Sequence, residues 1–549
     1  MLIFRNLALA IIAFGLTQCQ APAPSEEVAS KIDVLGITAH IETLASDDFQ
    51  GRMPNTVGEE KTVSYVTNAF KQLGLQPGNG DSFTQEVPLV EIESTPQGPM
   101  TIKSSDGSKD LTYLDEFVAL TRRVEPTVTL EDSELIFAGY GIVAPEYNWN
   151  DYQDIDVTGK TVVVLVNDPG YGTTDSTFFK GNTMTYYGRW TYKYEEAARQ
   201  GAAGVIIIHA DGPAGYPWEV VRGGWSGPSQ YLKAADNNAS RCAIEGWIST
   251  EVAMGLFQGA GQGSEIMQQA AQPGFQAVAL KATVSVQLDN RIQETSSNNI
   301  IGLIPGSERP EEIVIYSAHW DHMGVGEAID GDSIYNGAED NASGVACLLE
   351  IAEEFMNAAT PPQRSVAFLM VTAEEQGLLG SAYYAANPIY PPSKTIANLN
   401  MDALGSYGTT NDLIIIGYGQ SDLDDYATRA AQKQGRYIVP DQEPEKGYFF
   451  RSDHFSFAKI GIPALYAEGG LDSRAHGIEW GRARKNEYTS NRYHKPSDEY
   501  NAETWDLTGM VEDAQLLFDI GYTITQESTY PQWKTGSEFK AIREADLKP

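Results

Sequence analysis

Five short segments in the second half of this 549-residue chain place ionisable side chains where an apolar run meets a loop. His319 and Asp321 end IVIYSAHWD, and Asp340 lies in NGAEDNASG, just before a predicted helix. Glu374 and Glu375 end VAFLMVTAEE, Asp402 ends TIANLNMD, and His494 lies in RYHKPSDEY. Two imidazoles and several carboxylates meeting in one crevice would repel or be desolvated unless a cation compensated them. Zinc accepts this N/O ligand set, and two zinc ions about 3.5–4 Å apart need a bridging carboxylate. A hydrolytic centre of that kind also needs a metal-free carboxylate to take a proton from the attacking water. Glu374 and Glu375 are adjacent, so one can face metal while the other faces water. Asp321, two residues after His319, suits a carboxylate that fixes the tautomer of a ligand histidine.

Each of these residues has a plainer reading taken alone. His319 could be a core histidine at a strand end, Asp340 a helix cap, and Glu374-Glu375 a solvated loop end. Five such coincidences in one block are what argue for a site. His40, His209 and His476 have no such company and read as structural. His322 follows the first motif directly and reads as a pocket wall, since no second ligand role is vacant. Three cysteines allow neither a disulfide framework nor a thiolate zinc cage, and Cys242 and Cys347 read as packing residues.

The elements that must position these groups follow from periodicity. From about Ala277 the chain alternates apolar β runs (AVALKATVSVQL, EIVIYSAHWD, SVAFLMVTAEE, TIANLNMDALG, DLIIIGYG, PALYAEGG) with helical ones such as GVACLLEIAEEFMNA. The last long helix is expected within ETWDLTGMVEDAQLLFDIGYTI. Alternation of this kind predicts an α/β fold, a mostly parallel mixed sheet sandwiched by helices, with ligands at the carboxyl ends of the strands. Upstream, ITAHIETLAS and TVSYVTNAFKQLG read as helices, the second ended by its glycine, and FTQEVPLVEIE as a β segment. A compositional change near Glu131 opens a second β-rich region, with the valine-rich GKTVVVLVNDP and then KYEEAARQGAAGVIIIHA, a helix followed by a strand.

Composition narrows the partners. Hydrophobic residues make up 42% and charged residues 20%, as in a folded globular protein, and the length suggests two or three domains. With 74 acidic against 38 basic residues the formal net charge is −36, which repels phosphate backbones and argues against a nucleic-acid partner. The N-terminus, MLIFRNLALAIIAFGLTQC, has one early positive charge and an apolar run shorter than the ~20 residues a spanning helix needs. It reads as a signal peptide over residues 1–25. Its end resembles a bacterial lipoprotein signal, which implies a lipid anchor through Cys19, although Gln18 stands where that pattern prefers a small residue. The alternative is ordinary cleavage near Ala21 or Ala23. The expectation is therefore an exported protein, periplasmic or anchored in the outer membrane, alternatively secreted.

In their order, AHWDHMG, NGAEDNASG, TAEEQGLLGS, NLNMDALG and YHKPSDEY resemble the co-catalytic two-zinc aminopeptidases, whose superfamily includes glutamate carboxypeptidases and glutaminyl cyclases. The resemblance implies that His319 and Asp402 bind one of two Zn2+ ions, Glu375 and His494 the other, with Asp340 bridging. It implies that Glu374 is the general base, Asp321 the outer carboxylate and Tyr493 a phenol that stabilises the tetrahedral intermediate. SDHFSFAKIGIPAL, around Asp453 and His454, is also family-like and carries no assigned metal role. The resemblance further implies an N-terminal part of the peptidase domain over 26–130, an inserted protease-associated domain over 131–262, the main zinc peptidase domain over 275–530 and a C-terminal tail over 531–549. The expected activity is exopeptidase action on peptides with a free N-terminus. A glutamate-carboxypeptidase-like enzyme is the rival and would use arginines, for which Arg451, Arg474, Arg482 and Arg484 are candidates. A cyclase fits less well with ligands for two zinc ions. A non-catalytic receptor-like protein would have lost the ligands that this chain keeps.

Overall fold

The computed structural model describes residues 32–105 and 107–548. The expected signal peptide and Cys19 lie outside the described residues. No helix among those described is long and apolar enough to cross a membrane.

At the centre, strand Arg309–His319 pairs in parallel with Arg364–Val371 on one side and Thr395–Asn400 on the other. Thr395–Asn400 continues in parallel to Ala464–Gly469, which pairs antiparallel with Asp412–Ile416. That strand is joined in parallel by Tyr437–Pro440. On the opposite flank the C-terminal part of Val278–Ile304 runs antiparallel to Arg364–Val371. The sheet is thus parallel at its centre and mixed at its flanks. Because side chains alternate across a strand, each central strand feeds two cores. Val314, Tyr316, Ala318, Val366, Phe368 and Met370 point to one face. There they meet helices Val34–Leu44, Ser343–Asn357 and Thr508–Gln526. Ile313, Ile315, Ala367, Leu369 and Val371 point to the other, against Tyr384 and Phe457 of the helices Leu379–Ala386 and His454–Lys459. Strands buried on both faces explain the near-continuous apolar runs.

The N-terminal helices cover the first core. Asp33 caps Val34–Leu44 by accepting from Leu35 N and Gly36 N, and Val57–Leu73 ends at Gly74 with φ +86°. A second β-rich unit has its own parallel strands, Thr161–Leu165, Gly204–His209 and Ile244–Ser249. Helix Trp190–Arg199 packs beside them. Its core is wider than the expected insert 131–262. Met100, Ile102, Leu111 and Phe117 upstream, and Leu280 to Leu288 downstream, belong to it. The physical reason is strand pairing: Phe117–Leu120 joins Ile244–Ser249 antiparallel, and the 27-residue strand Val278–Ile304 runs through both units. Residues 531–548 are likewise docked. Trp533 donates to Gly461 O at 2.9 Å, and the buried Arg543 donates to Pro392 O and Thr395 O.

Candidate metal centre

The parallel register brings the three central strands to one edge. His319 is level with Val371, so the loop carrying Glu374-Glu375 and the turn to Asp402 emerge beside it. Asp340 arrives from the turn before helix Ser343–Asn357, held by Asp498, which accepts from Glu339 N and Asp340 N at 3.1 Å. Gly337, with φ +58°, is required at the start of that turn: a Cβ there would sit 2.3 Å from Asp340 O and 2.5 Å from the His322 ring. Asn341 ties the turn to the next one, accepting from Ala403 N and donating to Met401 O.

His319 Nε2 lies 3.2 Å from both Asp340 Oδ1 and Asp402 Oδ1. Its Nδ1 is 3.2 Å from the main-chain oxygen of Asp321, so a proton on Nδ1 leaves the Nε2 lone pair facing the two carboxylates. The Asp321 carboxylate is 3.8 Å from Nδ1 and accepts Glu374 N at 3.0 Å and Glu375 N at 3.4 Å. It fixes the loop of the paired glutamates as well as standing behind the histidine. His494 Nε2 lies 3.0 Å from Glu375 Oε2 and 3.4 Å from Asp340 Oδ2. Its buried Nε2 has no hydrogen-bond partner. The five residues assigned to metal by resemblance are therefore gathered around Asp340, which faces His319 with one oxygen and His494 with the other.

His322 belongs to this cluster and not merely to a pocket wall. Its Nδ1 is 2.6 Å from Glu375 Oε1, its Nε2 is buried without a partner, and it forms a metal-competent group with Asp340 and Glu375. A second such group is His319, Asp340 and Asp402. The sequence signal for His322 was its place directly after Asp321. Asp453 is a further buried carboxyl that sequence reasoning left without a role. Both its oxygens lack partners, and burial pushes it up to about 7.

The electrostatics follow from burial against imidazoles. Burial pushes the Glu374 carboxyl well above the ordinary range; His319 opposes this, and Asp402, Glu375 and Asp453 add to it. Its side chain makes no hydrogen bond or ion pair among the described residues. Burial and Asp340 raise Glu375, but His322 and His494 outweigh them and hold it at about 2. Burial lowers His494, yet the neighbouring carboxylates of Asp340 and Glu375 carry it up to about 10. Tyr493 stacks on His494 with ring centroids 3.8 Å apart, and desolvation of its phenol beside Asp340, Glu375 and Glu374 pushes it above the ordinary tyrosine range.

Of the four arginines considered for substrate carboxylates, Arg474 is engaged by Glu512, and Arg482 by Glu479 at 2.7 Å. Arg484 lies over the Trp480 ring, and Arg451 donates to Lys446 O at 2.7 Å. A cleft of about 1090 Å³ opens along helix Val57–Leu73, and none of its lining residues belongs to the metal cluster.

Residues 299–518 match the pattern of peptidase family M28. A 164-residue stretch is 28% identical to a probable zinc metalloprotease of Leptosphaeria maculans, covering 30% of this chain and 34% of that protein. A 138-residue stretch is 32% identical to an aminopeptidase of Mus musculus, covering 24% of this chain and 17% of that protein. The chain thus spans about a third or less of the length of these relatives. Among solved structures, the aminopeptidase from Aneurinibacillus sp. strain AM-1 aligns over 90% of this chain and 94% of its own, at 20% identity and TM-score 0.45.

Proposed function

Residues 299–518 of this chain belong to peptidase family M28, and from that premise we propose a zinc-dependent aminopeptidase that removes N-terminal residues from peptides. The observation that carries the reading is the cluster itself. Asp340 stands between His319 and His494, and the facing nitrogen and carboxylate atoms lie 3.0–3.4 Å apart. The donor set fits two divalent cations, because imidazole nitrogens and carboxylates suit zinc and the buried carboxyls outnumber their histidines. His319 and Asp402 would hold one ion, Glu375 and His494 the other, with Asp340 shared. Bound zinc supplies Lewis-acid polarisation of the scissile carbonyl and acidifies water.

The chain's own groups then have defined tasks. Glu374, free of protein partners, accepts a proton from the attacking water and delivers it to the leaving amine. Asp321 holds the Glu374 and Glu375 amides, which keeps one carboxylate on the cluster and the other on the reaction side. Tyr493 presents a protonated phenol beside His494 as a donor to the developing oxyanion. A rim rich in carboxylates suits a substrate α-ammonium. With Arg474 and Arg482 already paired to protein carboxylates, the amino end of the peptide is favoured over the carboxyl end. The β-rich unit fits a protease-associated domain, the apolar N-terminus fits export, and Cys19 fits a lipid anchor.

The test compares one peptide in free and N-acetylated forms, incubated with zinc-loaded protein and followed by mass spectrometry. Stepwise loss of N-terminal residues from the free form alone is expected. Release from the C-terminus of both forms would replace the reading with a carboxypeptidase.

A further inference from the structure

Arg52 belongs to the turn Asp47–Arg52, far from the metal-binding motifs in sequence and outside residues 299–518. Its side chain is buried, with 1% exposure, and pairs with no carboxylate among the described residues. Instead the guanidinium is spent on main-chain oxygens. Nε donates to Trp320 O at 3.0 Å, Nη1 to Leu44 O at 2.7 Å and Asn336 O at 2.6 Å, and Nη2 to Gly337 O at 2.7 Å. Trp320 lies between His319 and Asp321, and Gly337 opens the turn that delivers Asp340. Between them runs the hairpin of Gly324–Ile329 and Asp332–Tyr335. One planar group therefore closes the base of this hairpin from both ends. The turn is pressed into place, since a Cβ on Gly51 (φ +65°) would lie 2.3 Å from Tyr335 O.

We propose that Arg52 is a positioning residue of the metal centre, fixing the spacing between the His319–His322 loop and the Asp340 turn through its carbonyl bonds. The inference rests on the metallopeptidase reading above. Chemistry explains why arginine is used. Four acceptors on three segments match a rigid fork with five coplanar-directed donors, whereas a lysine ammonium has three donors at one point. The charge also faces Asp498, Asp321, Asp340 and Glu375 without neutralising any of them by contact. A carboxylate-bound arginine would compete with the cations for ligands; a carbonyl-bound one does not.

The test uses the full chain freed of metal and titrated with Co2+, whose visible absorption reports both equivalents bound and ligand geometry. Turnover of an aminoacyl p-nitroanilide is measured on the same samples. Wild type is expected to take two equivalents. Arg52→Lys is expected to stay folded, show an altered cobalt spectrum, and lose about 10–100-fold in kcat or second-ion affinity with KM little changed. Phe49→Ala removes a buried ring from the same turn; it should lower the melting temperature and leave the cobalt spectrum as in wild type. Wild-type spectrum and kcat in Arg52→Lys would overturn the proposal. So would a Phe49→Ala spectrum that changes as much, or an Arg52→Lys chain that does not fold, since either makes the arginine a packing residue. A wild-type chain that takes no cobalt would instead defeat the metallopeptidase reading, and this inference with it.

Discussion

His494 Nε2 lies 3.0 Å from Glu375 Oε2, yet it is buried with no hydrogen-bond partner. In the proposed centre these two groups share a cation. With the proposed two-ion centre, replacing either with alanine should leave one zinc per chain where two are expected in wild type, with His319 and Asp402 keeping the other ion. Elemental analysis of dialysed protein reads the number. Two ions retained in both variants would remove these residues from the ligand set.

Glu374 is proposed for the opposite role, its carboxyl having no hydrogen-bond or ion-pair partner among the described residues beside the His/Asp/Glu cluster. Glu374→Gln keeps its shape and abolishes its basicity. The expected loss in kcat is about 10²–10⁴-fold, with zinc content unchanged. Loss of zinc together with activity would instead make Glu374 a ligand.

Stability should respond at a tight crossing between helix and sheet. A Cβ on Gly521, in helix Thr508–Gln526, would lie 1.9 Å from the Tyr316 hydroxyl. That hydroxyl donates to Leu517 O at 2.8 Å. Gly521→Ala must therefore break this bond or move the helix off the central strand, at a cost of about 1–3 kcal/mol. Denaturant titration by circular dichroism measures it; an unchanged midpoint would show that the helix can shift freely.

His454 gives the pH dependence. Buried between Phe449 and Tyr466, it is lowered by desolvation from 6.5 to about 3. The unfolded chain binds a proton here between those two values and the folded chain does not. The contribution is fully present above about 6.5 and is lost as pH falls towards 3, by about 5 kcal/mol at most. His454→Leu should flatten the fall in melting temperature over that window. Parallel curves for variant and wild type would contradict the assignment.

Much of the site was legible because it lies at the ends of strands with clear apolar runs. His319, Glu374, Glu375 and Asp402 each follow such a run, and a parallel register carries them to one edge. His322 was harder to read: the sequence shows it next to a motif, but only the folded turn at Gly337 brings its ring against Glu375. Arg52 was not legible at all. Its four bonds go to main-chain oxygens, which no side-chain pattern announces, and its partners are up to 285 residues away. The core of the β-rich unit reaches past 131–262 for a related reason. Strand Val278–Ile304 is continuous in space, and composition cannot show that its first half pairs with one unit and its second half with the other.

The most direct measurement is a zinc titration of the metal-free protein with hydrolysis of a free-N-terminus peptide as readout. The account predicts no hydrolysis without metal and a plateau of activity reached at two equivalents of zinc. Full activity in the metal-free protein, or a plateau at one equivalent, would contradict a two-ion centre built on Asp340.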